Sequence, residues 1–167
     1  SMSKERTKKV KVFYFWLIQL LKRKYNDLNI YFIAHDTTAK LVDQKDFFKI
    51  SSAGGTRCSS AFAMAYEHIK DRYTDDSNNY VFEFSDGDNT SSDNLVCLEY
   101  IKKMYNMVNY IGYGEVKDDN DVFGIFSKET LYDFLKNNFN EKKLFLTKMT
   151  QETDIIYALK IFFGNKE

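Results

Sequence analysis

Apolar residues recur at Val10, Phe13, Leu17, Leu20 and Leu21, the spacing of one helical face, and predict a first helix over residues 4–24. Val12, Phe15, Trp16 and Ile18 carry the stripe nearly round the cylinder, so this helix should be covered on more than one side. Residues 28–34 are β-branched and aromatic with little polar alternation, as in a strand buried on both faces. A short edge strand at 39–42 and a turn of helix at 44–48 follow, and beyond Gly54-Gly55 a helix is marked by Phe62, Tyr66, Ile69 and Tyr73. A polar linker at 75–79 leads to a strand at 80–84, and Ser92 or Asp93 can cap a helix that buries Leu95, Leu98, Ile101 and Tyr105. Then come a strand at 108–114, a helix capped by Ser127 with Leu131, Phe134 and Leu135 inward, a strand at 143–147, and a helix from Thr150 with Ile155, Leu159 and Phe162 on one face. Strands alternating with helices predict a Rossmann-like α/β fold, a three-layer αβα sandwich on a mainly parallel sheet.

At 167 residues the chain fits one domain. Its 24 Lys and Arg balance 24 Asp and Glu, so no global field favours nucleic acid or an anionic membrane. The basic stretch at residues 4–11 reads as the solvated first turns of a helix, and the longest apolar run, 12–18, is too short to span a bilayer. Cys58 and Cys97 lack metal-ligand spacing and no apolar leader is present, so a cytoplasmic location is expected. Cys58 reads as a buried structural thiol, His35 as a hydrogen-bonded loop histidine and His68 as a surface residue, while Arg57 and Glu115 are candidates for lining a partner groove.

Candidate chemistry gathers in two loops. Gly54-Gly55-Thr56 offers a hydroxyl and free backbone amides at a helix start, which suits an anion or a metal-bound carboxylate; a glycine turn with an ordinary Thr cap fits equally well. No Lys follows the glycines, so this is not a Walker loop. Asp86-Gly87-Asp88-Asn89-Thr90 ends the 80–84 strand with several oxygen-bearing side chains that a hard cation would reconcile. An EF-hand count from Asp86 fails, with Ser91 at the glycine position and Cys97 at the final glutamate position. The Asp-x-Asp-x-Thr pattern also resembles the first motif of haloacid-dehalogenase phosphatases, with Asp86 as nucleophile and Asp88 as general acid/base. The acidic pair such an enzyme needs downstream would be Asp118 and Asp119, which arrive too soon for that fold.

Ser52-Ala53-Gly54-Gly55-Thr56, Phe84-Ser85-Asp86-Gly87-Asp88-Asn89 and Gly112-Tyr113-Gly114-Glu115-Val116 together resemble the YeaH/YhbH family of sporulation- and stress-associated bacterial proteins, over essentially the whole chain. The resemblance implies a von Willebrand factor A-like domain, whose metal-ion-dependent adhesion site uses an Asp-x-Ser-x-Ser loop, a Thr and a second Asp. The Thr corresponds to Thr56 and the second Asp to Asp86, with Ser1 and Asp88 as further candidate ligands. The Asp-x-Ser-x-Ser loop should follow a central strand placed before the first helix, and this chain opens at Ser1-Met2. The resemblance therefore implies a sheet without that strand and an incomplete site holding Mg²⁺ or Mn²⁺ weakly or not at all. Strands 28–34 and 80–84 should then pair directly, or a second copy should cover the gap in a homodimer. The implied function is protein–protein interaction rather than catalysis, and the implied partner a sporulation-associated serine protein kinase.

Overall fold

The computed structural model describes residues 2–51, 57–118 and 128–163. Among these residues six α-helices and five strands follow one another as α1 (Lys4–Lys24), β1 (Phe32–His35), β2 (Ala39–Val42), α2 (Gln44–Lys49), α3 (Ser59–Arg72), β3 (Tyr80–Ser85), α4 (Ser91–Met104), β4 (Tyr110–Val116), α5 (Leu131–Asn138), β5 (Leu144–Met149) and α6 (Asp154–Phe163), with a 3₁₀ turn at Tyr105–Met107. Strands β3, β4 and β5 form a parallel sheet in that order, with Tyr80 opposite Tyr110 and Ile111 opposite Leu144. Strands β1 and β2 form a separate antiparallel pair, Phe32 opposite Val42.

β4 is buried along its whole length, and its residues alternate between two cores as a strand covered on both faces must. Tyr110 and Val116 join Val10, Phe13 and Leu17 of α1 and Ile155, Ala158 and Phe162 of α6. Ile111 and Tyr113 join Phe62 of α3, Cys97, Leu98 and Ile101 of α4, and Leu131 and Leu135 of α5. The result is helix, parallel sheet, helix: a Rossmann-like α/β architecture, as the alternation of elements predicts. On the α1 and α6 side β4 presents glycine, because aromatic rings lie against its backbone. A Cβ on Gly114 would stand 2.1 Å from the Phe84 ring, and one on Gly112 2.9 Å from Phe162. Phe13 fills the space beyond, its ring centroid 4.4 Å from that of Phe84 and 5.7 Å from that of Phe162.

Several local expectations are corrected. Residues 28–31 are not strand; β1 begins only at Phe32. It does not pair with β3 among the described residues, so direct closure of the 28–34 and 80–84 strands does not occur there. The cap of α4 is Thr90, whose hydroxyl accepts from the Asp93 amide, and the inward face consists of Asn94, Cys97, Leu98, Ile101 and Met104, leaving Leu95 58% exposed. Thr130 rather than Ser127 caps α5, in a reciprocal box with Asp133; Ser127 lies outside the described residues. The final helix starts at Asp154, whose carboxylate accepts from the amides of Thr150 and Gln151 and from the Thr150 hydroxyl. In α1 the basic stretch is not simply solvated: Lys9 is buried and its ammonium donates to the carbonyls of Lys117 and Thr150. The apolar surplus of that helix remains in the open, with Phe15 and Trp16 half exposed and Leu20 42% exposed.

Gly114→Val should destabilise the protein by roughly 1–3 kcal/mol, the usual cost of overpacking a filled core. Urea denaturation checks this, and an unchanged midpoint would mean that the Phe84 ring can move aside.

Candidate functional site

The carboxyl ends of parallel strands are where α/β proteins place their ligand loops. Here that edge is built from the loop after β3, the residues after β4, and the first turns of α1. Side chains shape the β3 loop by bonding its own backbone. The Ser85 hydroxyl accepts from the Gly87 amide and shares a 2.7 Å hydrogen bond with the Tyr113 hydroxyl, and Asp86 Oδ1 accepts from the Asp88 amide at 3.1 Å. Gly87 has φ +78°, and a Cβ there would lie 2.4 Å from Glu115 Oε2, so the turn demands glycine on both counts.

Asp86 is buried, and positive charge surrounds it. Arg6 Nη1 lies 3.7 Å from Asp86 Oδ2 while Arg6 Nε lies 3.0 Å from Asp118 Oδ2. The Lys117 ammonium donates to the Asp86 carbonyl at 2.7 Å and stands 3.5 Å from the fully buried Glu115. Ser3, the cap of α1, donates to Asp118 at 3.3 Å. Asp88 is exposed. Among the described residues no cluster of three or more His, Cys, Asp and Glu side chains could hold a metal ion. A guanidinium already stands beside the Asp86 carboxylate, in competition with a divalent cation, which takes several oxygen ligands. Thr56 and Ser1, the other expected ligands, lie outside the described residues, as do Gly54, Gly55 and Asp119.

The segment that follows Thr56 in sequence is nevertheless tied to the β3 loop. Cys58, the N-cap of α3, makes no side-chain cap of its own. Asp93 substitutes for it across the chain: its Oδ2 accepts from the Ser59 amide at 3.0 Å and its Oδ1 from the Ser59 hydroxyl at 2.5 Å. Asn89 accepts from the Cys58 amide and donates to Asn94, and the Arg57 guanidinium lies 3.9 Å from Asp93. Glu115, expected to line a groove, is instead part of the interior.

Behind this network lies a second acidic residue. Glu83 is 6% exposed, neither of its oxygens makes a hydrogen bond among the described residues, and His35 Nε2 lies 3.6 Å from its Oε1. Burial, helped by the charge of Asp93, pushes the Glu83 carboxyl well above the usual carboxylate range. Burial also lowers the His35 pKa, against the pull of Asp36, Asp86 and Asp93, and its Nδ1 has no hydrogen-bond partner among the described residues. His35 is thus a largely buried strand residue and not a hydrogen-bonded loop histidine. His68 is half-buried, its ring 4.0 Å from that of Tyr31. The Cys58 thiol is pushed well up, chiefly by burial, as befits a structural cysteine.

Sequence comparison adds the family. The family model described as "Protein of unknown function (DUF444)" matches residues 1–166. The chain belongs to the DUF444 family. This is the YeaH/YhbH family that its loop motifs resemble. A UPF0229 protein of Shouchella clausii is 38% identical over 152 residues, and UPF0229 proteins of Bacillus cereus (strain G9842) and Bacillus anthracis (strain A0248) are 39% identical over 153 residues. Each match covers 90% of this chain and 37% of the relative, so the chain spans little more than a third of the DUF444 proteins it matches. No helix among its described residues is long and apolar enough to cross a membrane.

Two outcomes follow. Asp93→Ala removes the cap of α3 and should cost about 1.5–3 kcal/mol, the range for hydrogen bonds to a charged group, read by urea denaturation. Glu83 keeps its proton in the fold, whereas the unfolded chain ionises near pH 4.3, so above that value the folded state binds more protons and stability falls as pH rises toward the folded pKa. Glu83→Gln should flatten that decline, so melting temperatures compared at acidic and mildly alkaline pH should converge; an identical slope in the parent would show that Glu83 is ionised in the fold.

Proposed function

We propose that this chain is the von Willebrand factor A-like interaction module of a longer DUF444 protein, acting by binding a protein partner and not by catalysis. Its metal-ion-dependent adhesion site is degenerate: Thr56 and Asp86, with Ser1 and Asp88 as auxiliaries, bind Mg²⁺ or Mn²⁺ weakly at best. The observation that carries the reading is the state of Asp86. A nucleophilic or metal-loaded aspartate must be free to reach its target, and this one is buried beside the Arg6 guanidinium with Lys117 on its carbonyl. The Asp93 and Asn89 tethers support a common rim for the Thr56 and Asp86 loops, since they fasten Cys58 and Ser59 to the turn that follows β3.

The partner in this reading is a sporulation-associated serine protein kinase, and the setting is the cytoplasm of an endospore-forming bacterium. A homodimer belongs to the same reading, with the outward stripe of Phe15, Trp16 and Leu20 at its interface. Light scattering that returned only a monomeric mass would remove the dimer.

The test is direct. The whole Bacillus cereus relative, titrated calorimetrically with the serine protein kinase of the same organism, should bind, and substitution at its counterpart of Asp86 should weaken binding. Magnesium-dependent hydrolysis of p-nitrophenyl phosphate by this chain, abolished in Asp86→Asn, would overturn the reading in favour of a phosphatase.

A further inference from the structure

The 24 basic and 24 acidic residues of the chain balance in number but are not evenly spread. Helix α1 holds eight of the basic residues and a single acid, Glu5, and from Arg6 to Lys24 it contains no acid at all. Its inward side takes up Val10, Phe13, Leu17 and Leu21. The opposite side carries two neighbouring rows at helical spacing, Lys8, Phe15, Gln19 and Lys22 in one and Trp16, Leu20 and Arg23 in the other, every one of them exposed. Both rows end in a cation, and the first also begins with one.

Rings and charges are thus sorted along the helix. At 1.5 Å per residue α1 is about 30 Å long, with Lys4 and Lys8 near its start, Lys22 and Arg23 in its last turn, and Phe15, Trp16 and Leu20 between them. The Phe15 and Trp16 rings meet edge to face, centroids 5.6 Å apart, and so form one apolar patch. Little opposes the surrounding charge. Lys8 has Glu152 at 3.9 Å, both of them exposed, and among the described residues Lys22 and Arg23 pair with no acid.

Large apolar side chains framed by cations fit a surface that is apolar and anionic at once. An anionic bilayer is such a surface: aromatic and aliphatic side chains enter the boundary between headgroups and acyl chains, while Lys and Arg reach back to the phosphates. The outer side of a helix is convex and offers no groove to a peptide, whereas a bilayer yields around it. A nucleic acid would take up the charges and leave Leu20 in water. Two copies laid face to face would bring like charges together.

We propose that the outer face of α1 is a peripheral docking surface for an anionic phospholipid bilayer, on which the helix lies flat with Phe15, Trp16 and Leu20 in the headgroup layer and Lys8, Lys22 and Arg23 at the phosphates. This goes beyond the interaction reading and stands without it, since none of these side chains belongs to the Asp86 loop. Lipid here competes with a second copy for the same stripe.

Trp16 is the only tryptophan of the chain, so its emission reports on this face alone. Vesicles of phosphatidylglycerol should shift that emission to shorter wavelength and carry the protein into the pellet on centrifugation, and added salt should weaken both effects. Vesicles of phosphatidylcholine should do neither. Lys22→Gln combined with Arg23→Gln should weaken vesicle binding about twentyfold, at roughly fivefold for each basic residue near an anionic surface. Leu20→Ser should weaken it as well, and circular dichroism of both variants should match the parent. No shift with phosphatidylglycerol, an equal response to phosphatidylcholine, or an equal shift on adding a single-stranded oligonucleotide each overturns the proposal. So does a shift that grows with protein concentration in the absence of vesicles, which gives the stripe to a second copy. Loss of kinase binding or of any metal effect at Asp86 would leave these results untouched.

Discussion

Burying a carboxylate requires a counter-charge, a set of donors or a proton, and the buried acids among the described residues differ in which one they receive. At the carboxyl edge the protein supplies the counter-charge itself. Arg6, projecting from the first turns of α1, bridges Asp86 after β3 and Asp118 after β4, and Lys117 stands between the Asp86 carbonyl and Glu115. This arrangement fixes the start of α1 over the ends of two strands.

The other two buried acids are satisfied differently. Asp93 receives donors, the amide and hydroxyl of Ser59, and thereby caps α3 from another part of the chain. Glu83 receives neither charge nor donor within hydrogen-bonding distance among the described residues, and burial pushes its carboxyl well above the usual range, which favours the protonated form. The first two carboxylates are satisfied within the described residues, whereas Glu83 lines a cavity of about 670 Å³ between β1 and β3. β4, by contrast, is buried along its whole length, and the rings of Phe84 and Phe162 lie against its glycines.

Much of this was legible in the residues. The period of α1, the presence of a strand at β4 and the placement of the Asp86 loop at a strand end follow from hydrophobic pattern and turn chemistry, whereas the both-face burial expected of residues 28–34 is found in β4 instead. The phase of α4 was not: Leu95 looks like a core residue and is exposed, because Asn94 and Cys97 turn inward to serve the Asn89 and Asp93 network. A polar network can rotate a helix away from its most apolar face, and no periodicity reports that. The roles of Arg6 and Lys9 were hidden in a basic run that reads as solvent-exposed, since their partners are backbone and acids more than 75 residues away in sequence. Glu83 did leave a signal, a lone charge inside the apolar strand Tyr80-Val81-Phe82-Glu83-Phe84, and so did Glu115 between Gly114 and Val116.

In the proposed reading, Arg6 holds the place at Asp86 that a metal ion would otherwise take. Thermal unfolding with and without Mn²⁺ tests it most directly, on the parent and on Arg6→Ala side by side. The account predicts that Mn²⁺ leaves the parent unchanged and raises the melting temperature of Arg6→Ala alone, as the freed carboxylate accepts the ion. A parent protein already stabilised by Mn²⁺, with the effect lost in Asp86→Asn, would contradict it.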